Sequence, residues 1–144
     1  MTCGPLTPWT IAQVTVEPGT GILADLEDGA FERAVVAARE ADMVVLAVGG
    51  ASAWFVGDRT EGEASDSLSI HLPAVQQRLI DAIIALGQPT VAVIVQGRPY
   101  VLPESLLDAN AILCASYNGV GGLTALARVI AGDVNPSGKL PYTI

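Results

Sequence analysis

The chain is poor in the residues that carry much of ordinary site chemistry: 144 residues hold one histidine, two cysteines and one lysine. One histidine and two cysteines as far apart as Cys3 and Cys114 give none of the ligand spacings a metal site needs, so neither a metal nor another cofactor is expected. Cys114 lies in the apolar run 111–115, where a thiol behaves as a small buried hydrophobe rather than as half of a disulfide. Seven basic residues against fifteen acidic ones leave a formal net charge of −8. That balance argues against nucleic acid as a partner, because binding a phosphate backbone takes clustered cations. Neutral and cationic ligands remain compatible. No apolar run reaches the roughly 18 residues of a membrane span, so no membrane partner is expected. The first ten residues lack the basic start and apolar stretch of a secretory signal. A cytoplasmic protein is the mild expectation, although a piece of a longer polypeptide would leave the compartment open.

Charged residues are scarce altogether, at 15%, while hydrophobic residues make up 51% and mean hydropathy is +0.48. A chain of this length and composition is one compact domain with a sizeable core. Residues 1–24 are rich in Pro, Gly and Thr and read as a leader or edge segment, with an imperfect strand at 11–16. Over residues 25–41, Leu26, Ala30, Phe31, Ala34, Val35 and Ala38 recur at helical spacing, with Asp28 placed at the N-cap. Residues 43–48 are six apolar residues closed by Gly49-Gly50, the pattern of a strand covered on both faces in a parallel sheet. Pro73 opens a second helix whose apolar side is Val75, Leu79, Ile80, Ile83, Ile84 and Leu86, ended by Gly87. Residues 90–95 and 111–115 are two further buried-type strands. A glycine turn, Tyr117-Asn118-Gly119-Val120-Gly121-Gly122, leads into a helix over 123–130. A polar turn at 133–138 precedes a last strand at 140–144, read as cut at its end.

This order predicts an α/β domain over 25–144, a mostly parallel sheet flanked by helices in the manner of a flavodoxin-like sandwich. Its functional loops belong at the carboxyl ends of the strands. The rule collects three segments on one rim: an acidic loop at 57–66, the turn Gly97-Arg98-Pro99, and the glycine turn. The acidic loop holds Asp58, Glu61, Glu63 and Asp66, four carboxylates between two apolar, regular segments, and rigidly held loops are where chemistry concentrates.

Three stretches together carry a resemblance. They are Gly62-Glu63-Ala64-Ser65-Asp66 with Leu68, Ile70 and Leu72-Pro73; Gln96-Gly97-Arg98-Pro99-Tyr100; and Gly132-Asp133-Val134-Asn135-Pro136-Ser137-Gly138-Lys139-Leu140-Pro141. Over about residues 30–144 the chain resembles the second, α/β sandwich domain of family 3 glycoside hydrolases, the β-glucosidase and β-xylosidase group. The resemblance implies a β-linked glycoside as substrate and an active site shared with a barrel domain, in the same polypeptide or another, which supplies an aspartate nucleophile. By its place in the motif Glu63 matches the acid/base residue of a two-carboxylate retaining mechanism, with Glu61 as its competitor. Nothing in the chain resembles the barrel, so the isolated chain is expected to be inactive, as a fragment of a larger enzyme. Ser67 stands where relatives carry an arginine, and the glycine turn is one residue shorter than theirs and lacks their acid.

Other residues have two readings each. Trp54 and Phe55 stack on a pyranose ring or pack under the loop. Asp58 and Arg59 contact sugar or pair with each other, and Glu61 joins them as a candidate substrate contact. His71 reads as structural or surface, and Arg98 as an ion-pair partner holding two rim loops together. The glycine turn precedes a helix, where anions are attracted, yet it lacks both the dinucleotide fingerprint and a Walker lysine. Two functions from different classes therefore stand side by side: half of a glycosidase, or a non-catalytic sugar- or protein-binding module of the same fold. An exposed apolar rim is expected if a partner domain covers it.

Overall fold

The computed structural model describes residues 13–26, 29–52 and 57–143. Its regular elements are α1 (Ala30–Glu40), β1 (Val44–Gly49), α2 (Ala74–Ile84), β2 (Thr90–Gln96), a 3-10 helix (Glu104–Asp108), β3 (Ala111–Ser116) and α3 (Gly122–Ile130). The three strands form one open parallel sheet in the order β1-β2-β3. Runs of Val, Ile, Leu and Ala suit such a sheet, whose central strand meets protein on both faces. Along β2, Ala92, Val93 and Ile94 are all buried.

One face of the sheet carries the core. Leu46 and Val48 of β1 with Ala92 and Ile94 of β2 pack against Ala38 of α1 and against Leu79, Ile80 and Ile83 of α2. The cluster continues through Leu72, Tyr100 and Leu106. Gln76 sits on the buried stripe of α2, at helical spacing from Leu79, Ile80 and Ile83, and is 3% exposed. A polar group so deep needs partners, and it has them: Gln76 Oε1 accepts from Gly49 N at 2.8 Å, while its Nε2 donates to Gly49 O at 2.9 Å and to Ile22 O at 3.2 Å. The amide thereby fixes the carboxyl end of β1 to α2. The other face is less covered: Val93 is buried, but Val45 is half exposed, and α3 buries none of its residues.

Local departures from the sequence reading have physical causes. The first helix begins at Ala30 behind Gly29, whose left-handed φ of 69° interrupts any helix running from residue 25. Asp28, the expected N-cap, lies outside the described residues, as does Ile11. Residues 13–16 form no strand. Nor do residues 140–143, where Tyr142 accepts a hydrogen bond from Gln96. Cys114 is half buried rather than buried, a free thiol on edge strand β3. The short 3-10 helix, which buries Leu106, carries no periodicity long enough to announce itself.

Candidate active-site rim

The acidic loop, the Gly97-Arg98-Pro99 turn and the glycine turn follow β1, β2 and β3 respectively, and all leave the carboxyl ends of parallel strands. The acidic loop is stapled at its base. Ala51 O accepts from Thr60 N at 2.9 Å and from Glu61 N at 3.3 Å, and Ala51 N donates to Thr60 Oγ1 at 3.0 Å. The Thr60 and Tyr100 hydroxyls are hydrogen-bonded at 2.8 Å. Gly62 then takes a φ of 112°, and a β-carbon there would stand 2.5 Å from Ser52 Oγ, so only glycine passes. A turn closed by Ser65 N donating to Gly62 O follows. Glu63 and Ala64 are its central residues, with Ala64 in the left-handed region at φ 55°. That conformation is disfavoured for a residue with a β-carbon and stores local strain.

The two glutamates on either side of Gly62 have opposite surroundings. Glu63 is exposed, at the turn. Glu61 is 2% exposed. Its Oε1 accepts from the Gly97 amide and the Tyr117 hydroxyl, and its Oε2 accepts from the Tyr100 hydroxyl at 2.6 Å. Arg98 Nε lies 3.9 Å from Oε2, buried and without a hydrogen-bond partner of its own. The same arginine donates through Nη2 to Thr60 O at 3.3 Å and Ser69 O at 3.1 Å, and its guanidinium stacks on Tyr100 at 4.7 Å. It spans the loop from one foot to the other. With three donors and a guanidinium around it, the Glu61 carboxyl group is enclosed and hydrogen-bonded by its own protein.

Tyr100 and Tyr117 share the effect. Burial first, and then the hydrogen bond to the Glu61 carboxylate, raises the ionisation of both phenols above the ordinary 10.0. Since the folded protein holds these protons more tightly than the unfolded chain, their contribution is fully present below pH 10.0 and is lost as pH rises beyond it. A tyrosinate absorbance titration of the native chain is therefore expected to run above pH 10.0 and to drop back toward it in denaturant. Native and unfolded curves that coincide would contradict the buried pairing.

The remaining candidates are placed as follows. Trp54 and Phe55 lie outside the described residues. Asp58 and Arg59 are exposed, and among the described residues neither has an ion-pair partner. Arg59, Asp66, Ser67, His71 and Arg98 border a shallow cleft of about 600 Å³ beside the loop. His71 is exposed and bridges in parallel to Val101, tying the end of the loop to the segment after β2. Exposed apolar side chains mark the loops around the rim: Leu68 and Ile70 on the acidic loop, Tyr117 and Val120 on the glycine turn, and Leu123 at the start of α3.

Sequence reasoning placed Glu61, Arg98 and Tyr117 on one rim without showing that they meet. The two glycines beside them were the available signal. A β-carbon on Gly50 would stand 2.5 Å from Glu61 Oε2 and 2.6 Å from its Cδ, and one on Gly97 would stand 3.0 Å from Oε1 and 2.7 Å from the Tyr117 ring. Both positions are glycine because the carboxylate lies against them.

Comparison with known proteins accounts for this architecture. The family model described as the glycosyl hydrolase family 3 C-terminal domain matches residues 3–144. The chain is 42% identical over 113 residues to a periplasmic beta-glucosidase of Salmonella typhimurium, covering 78% of this chain and 14% of that protein. It is 38% identical over 110 residues to a beta-xylosidase of Formosa agariphila, covering 76% of this chain and again 14% of the relative. A crystal structure of a family 3 beta-glucosidase from Bifidobacterium adolescentis superposes with a TM-score of 0.75 at 32% identity, over 89% of this chain and 18% of that one. The chain thus spans about a seventh of the length of these curated relatives. By sequence over nearly its whole length, and by fold, the chain belongs to the glycosyl hydrolase family 3 C-terminal domain family.

Proposed function

We propose that this chain is the acid/base-bearing part of a retaining β-glycosidase acting on terminal β-linked glucosides or xylosides. The observation that carries the reading is the opposite setting of the two loop glutamates: Glu61 is enclosed by its own protein, and Glu63 stands exposed on a strained turn at the rim. In the mechanism proposed, a carboxylate on a barrel domain attacks the anomeric carbon while Glu63 protonates the departing oxygen. Glu63 then takes a proton from the water that releases the sugar. A retaining enzyme needs its two carboxyl groups about 5 Å apart, which requires the barrel to seat on this rim. The exposed Leu68, Ile70, Val120 and Leu123 give it an apolar surface to cover. Trp54, Asp58 and Arg59 remain the proposed sugar contacts. Glu61 is reassigned from substrate contact to the interior of the loop.

The isolated chain is expected to show no hydrolysis. The test is a chimera in which the matching segment of the Salmonella relative is exchanged for that of this chain, assayed on aryl β-glucoside and aryl β-xyloside. Turnover by the chimera supports the reading. A folded chimera without turnover contradicts it and favours the non-catalytic binding module.

A further inference from the structure

The buried carboxylate has a use that its enclosure does not itself explain, because a hydrophobic side chain would fill the same space without the cost of desolvating a charge. Three segments meet on it. Gly50 follows β1, Gly97 follows β2, Tyr100 lies three residues further on, and Tyr117 follows β3. Apart from Glu61 itself, every group it touches belongs to a strand end or to the segment just beyond one. One residue, Gly62, stands between Glu61 and Glu63, and a β-carbon on it would crowd Ser52.

We propose that Glu61 is a positioning residue for Glu63: it binds the acidic loop to the ends of all three strands, so that the exposed carboxylate is held at one place above the sheet. Arg98 completes the device by donating to Thr60 O and Ser69 O on either side of the turn. Without this binding the exposed turn would sample many orientations. A proton donor displaced by even about 1 Å loses much of its effectiveness. Tyr117 gives the arrangement a second consequence. It ties the glycine turn to the acidic loop through a single hydroxyl, so two rim loops that face the same partner surface move as one.

The inference rests on the reading of Glu63 as acid/base, and the experiment separates the two. In the chain itself, amide exchange is measured at Thr60, Glu61 and Ser65, whose N–H groups bond within the loop, for wild type, Glu61→Ala, Glu61→Gln and Tyr117→Phe. Exchange there is expected to quicken at least tenfold in Glu61→Ala and to a smaller extent in Tyr117→Phe, with the amides of β2 unchanged. Glu61→Gln restores part of the protection, since its amide oxygen still accepts from Gly97 and Tyr117. In the chimera, Glu61→Ala is expected to lower kcat at least tenfold with KM within about threefold of wild type, and Glu61→Gln to recover part of kcat. Should Glu61→Ala fail to fold, Tyr117→Phe carries the same test, because it removes one hydroxyl from a half-exposed residue. Loop exchange unaltered in both variants overturns the positioning role, whatever the chimera does. Quickened exchange with an unchanged kcat overturns it as well. An inactive wild-type chimera beside quickened loop exchange defeats the reading of Glu63 and with it the positioning role, leaving a loop anchor alone.

Discussion

Replacing Glu63 by alanine in the active chimera is expected to lower kcat/KM for a β-glucoside with a poor leaving group about 10²- to 10⁴-fold, the usual share of general acid–base catalysis. The loss should depend on the aglycone. An alkyl or sugar leaving group needs a proton as the glycosidic bond breaks, whereas dinitrophenolate departs unaided. With a dinitrophenyl glucoside the first step therefore survives. The second step, in which water loses its base, becomes limiting, so kcat and KM should fall together as glycosyl-enzyme accumulates. Steady-state kinetics on the two substrates read this directly. A uniform loss on both would point to a disturbed fold, and no loss on either would take the acid/base role away from Glu63.

The second large effect is structural. Gly49→Ala is expected to cost more than about 4 kcal/mol of stability, at the extreme of single substitutions, and to leave the chain unfolded or nearly so. Gly49 ends β1 in register with Val95 of β2, at a φ of 149° that side chains rarely adopt. Its missing β-carbon would overlap the Val95 carbonyl. The Gln76 amide holds both Gly49 N and Gly49 O, so the backbone has no slack in which to retreat. Gly57→Ala is the control. It has a positive φ of 97°, and among the described residues nothing lies near the added carbon, so the expected cost is backbone strain of about 1–2 kcal/mol. Urea unfolding followed by circular dichroism distinguishes them. Equal effects would mean that conformation, not the close approach of β1 to β2, governs Gly49.

Much of this architecture is legible in the sequence because it depends on local pattern. The run of apolar residues ending in Gly49-Gly50 is β1, and the apolar stripe after Pro73 is α2, each within a few residues of its position in the structure. The expectation that three segments leave the carboxyl ends of parallel strands on one rim agrees with their places after β1, β2 and β3. What the sequence hid depends on contacts between residues far apart in the chain. Glu61 and Glu63 look alike in a loop of four carboxylates. Their difference comes from Tyr100 and Tyr117, 39 and 56 residues after Glu61, and from the φ of Gly62, which turns the chain between them. Gln76 was hidden for another reason. A polar residue at a core position breaks the binary pattern, and the backbone of Gly49 and Ile22 explains it. The apolar residues near the end of the chain suggest a last strand, but pattern alone does not supply the pairing, and residues 140–143 form none.

The division of labour between the two glutamates is tested most directly by azide rescue. Azide is a small anion that attacks a glycosyl-enzyme without needing a base, so it replaces the base but not a loop support. With dinitrophenyl β-glucoside, azide is expected to raise kcat of the Glu63→Ala chimera at least tenfold and to yield β-glucosyl azide, identified by NMR. The Glu61→Ala chimera should gain nothing and form no azide adduct. Rescue of Glu61→Ala, with Glu63→Ala unresponsive and active, would exchange the two roles and contradict the account.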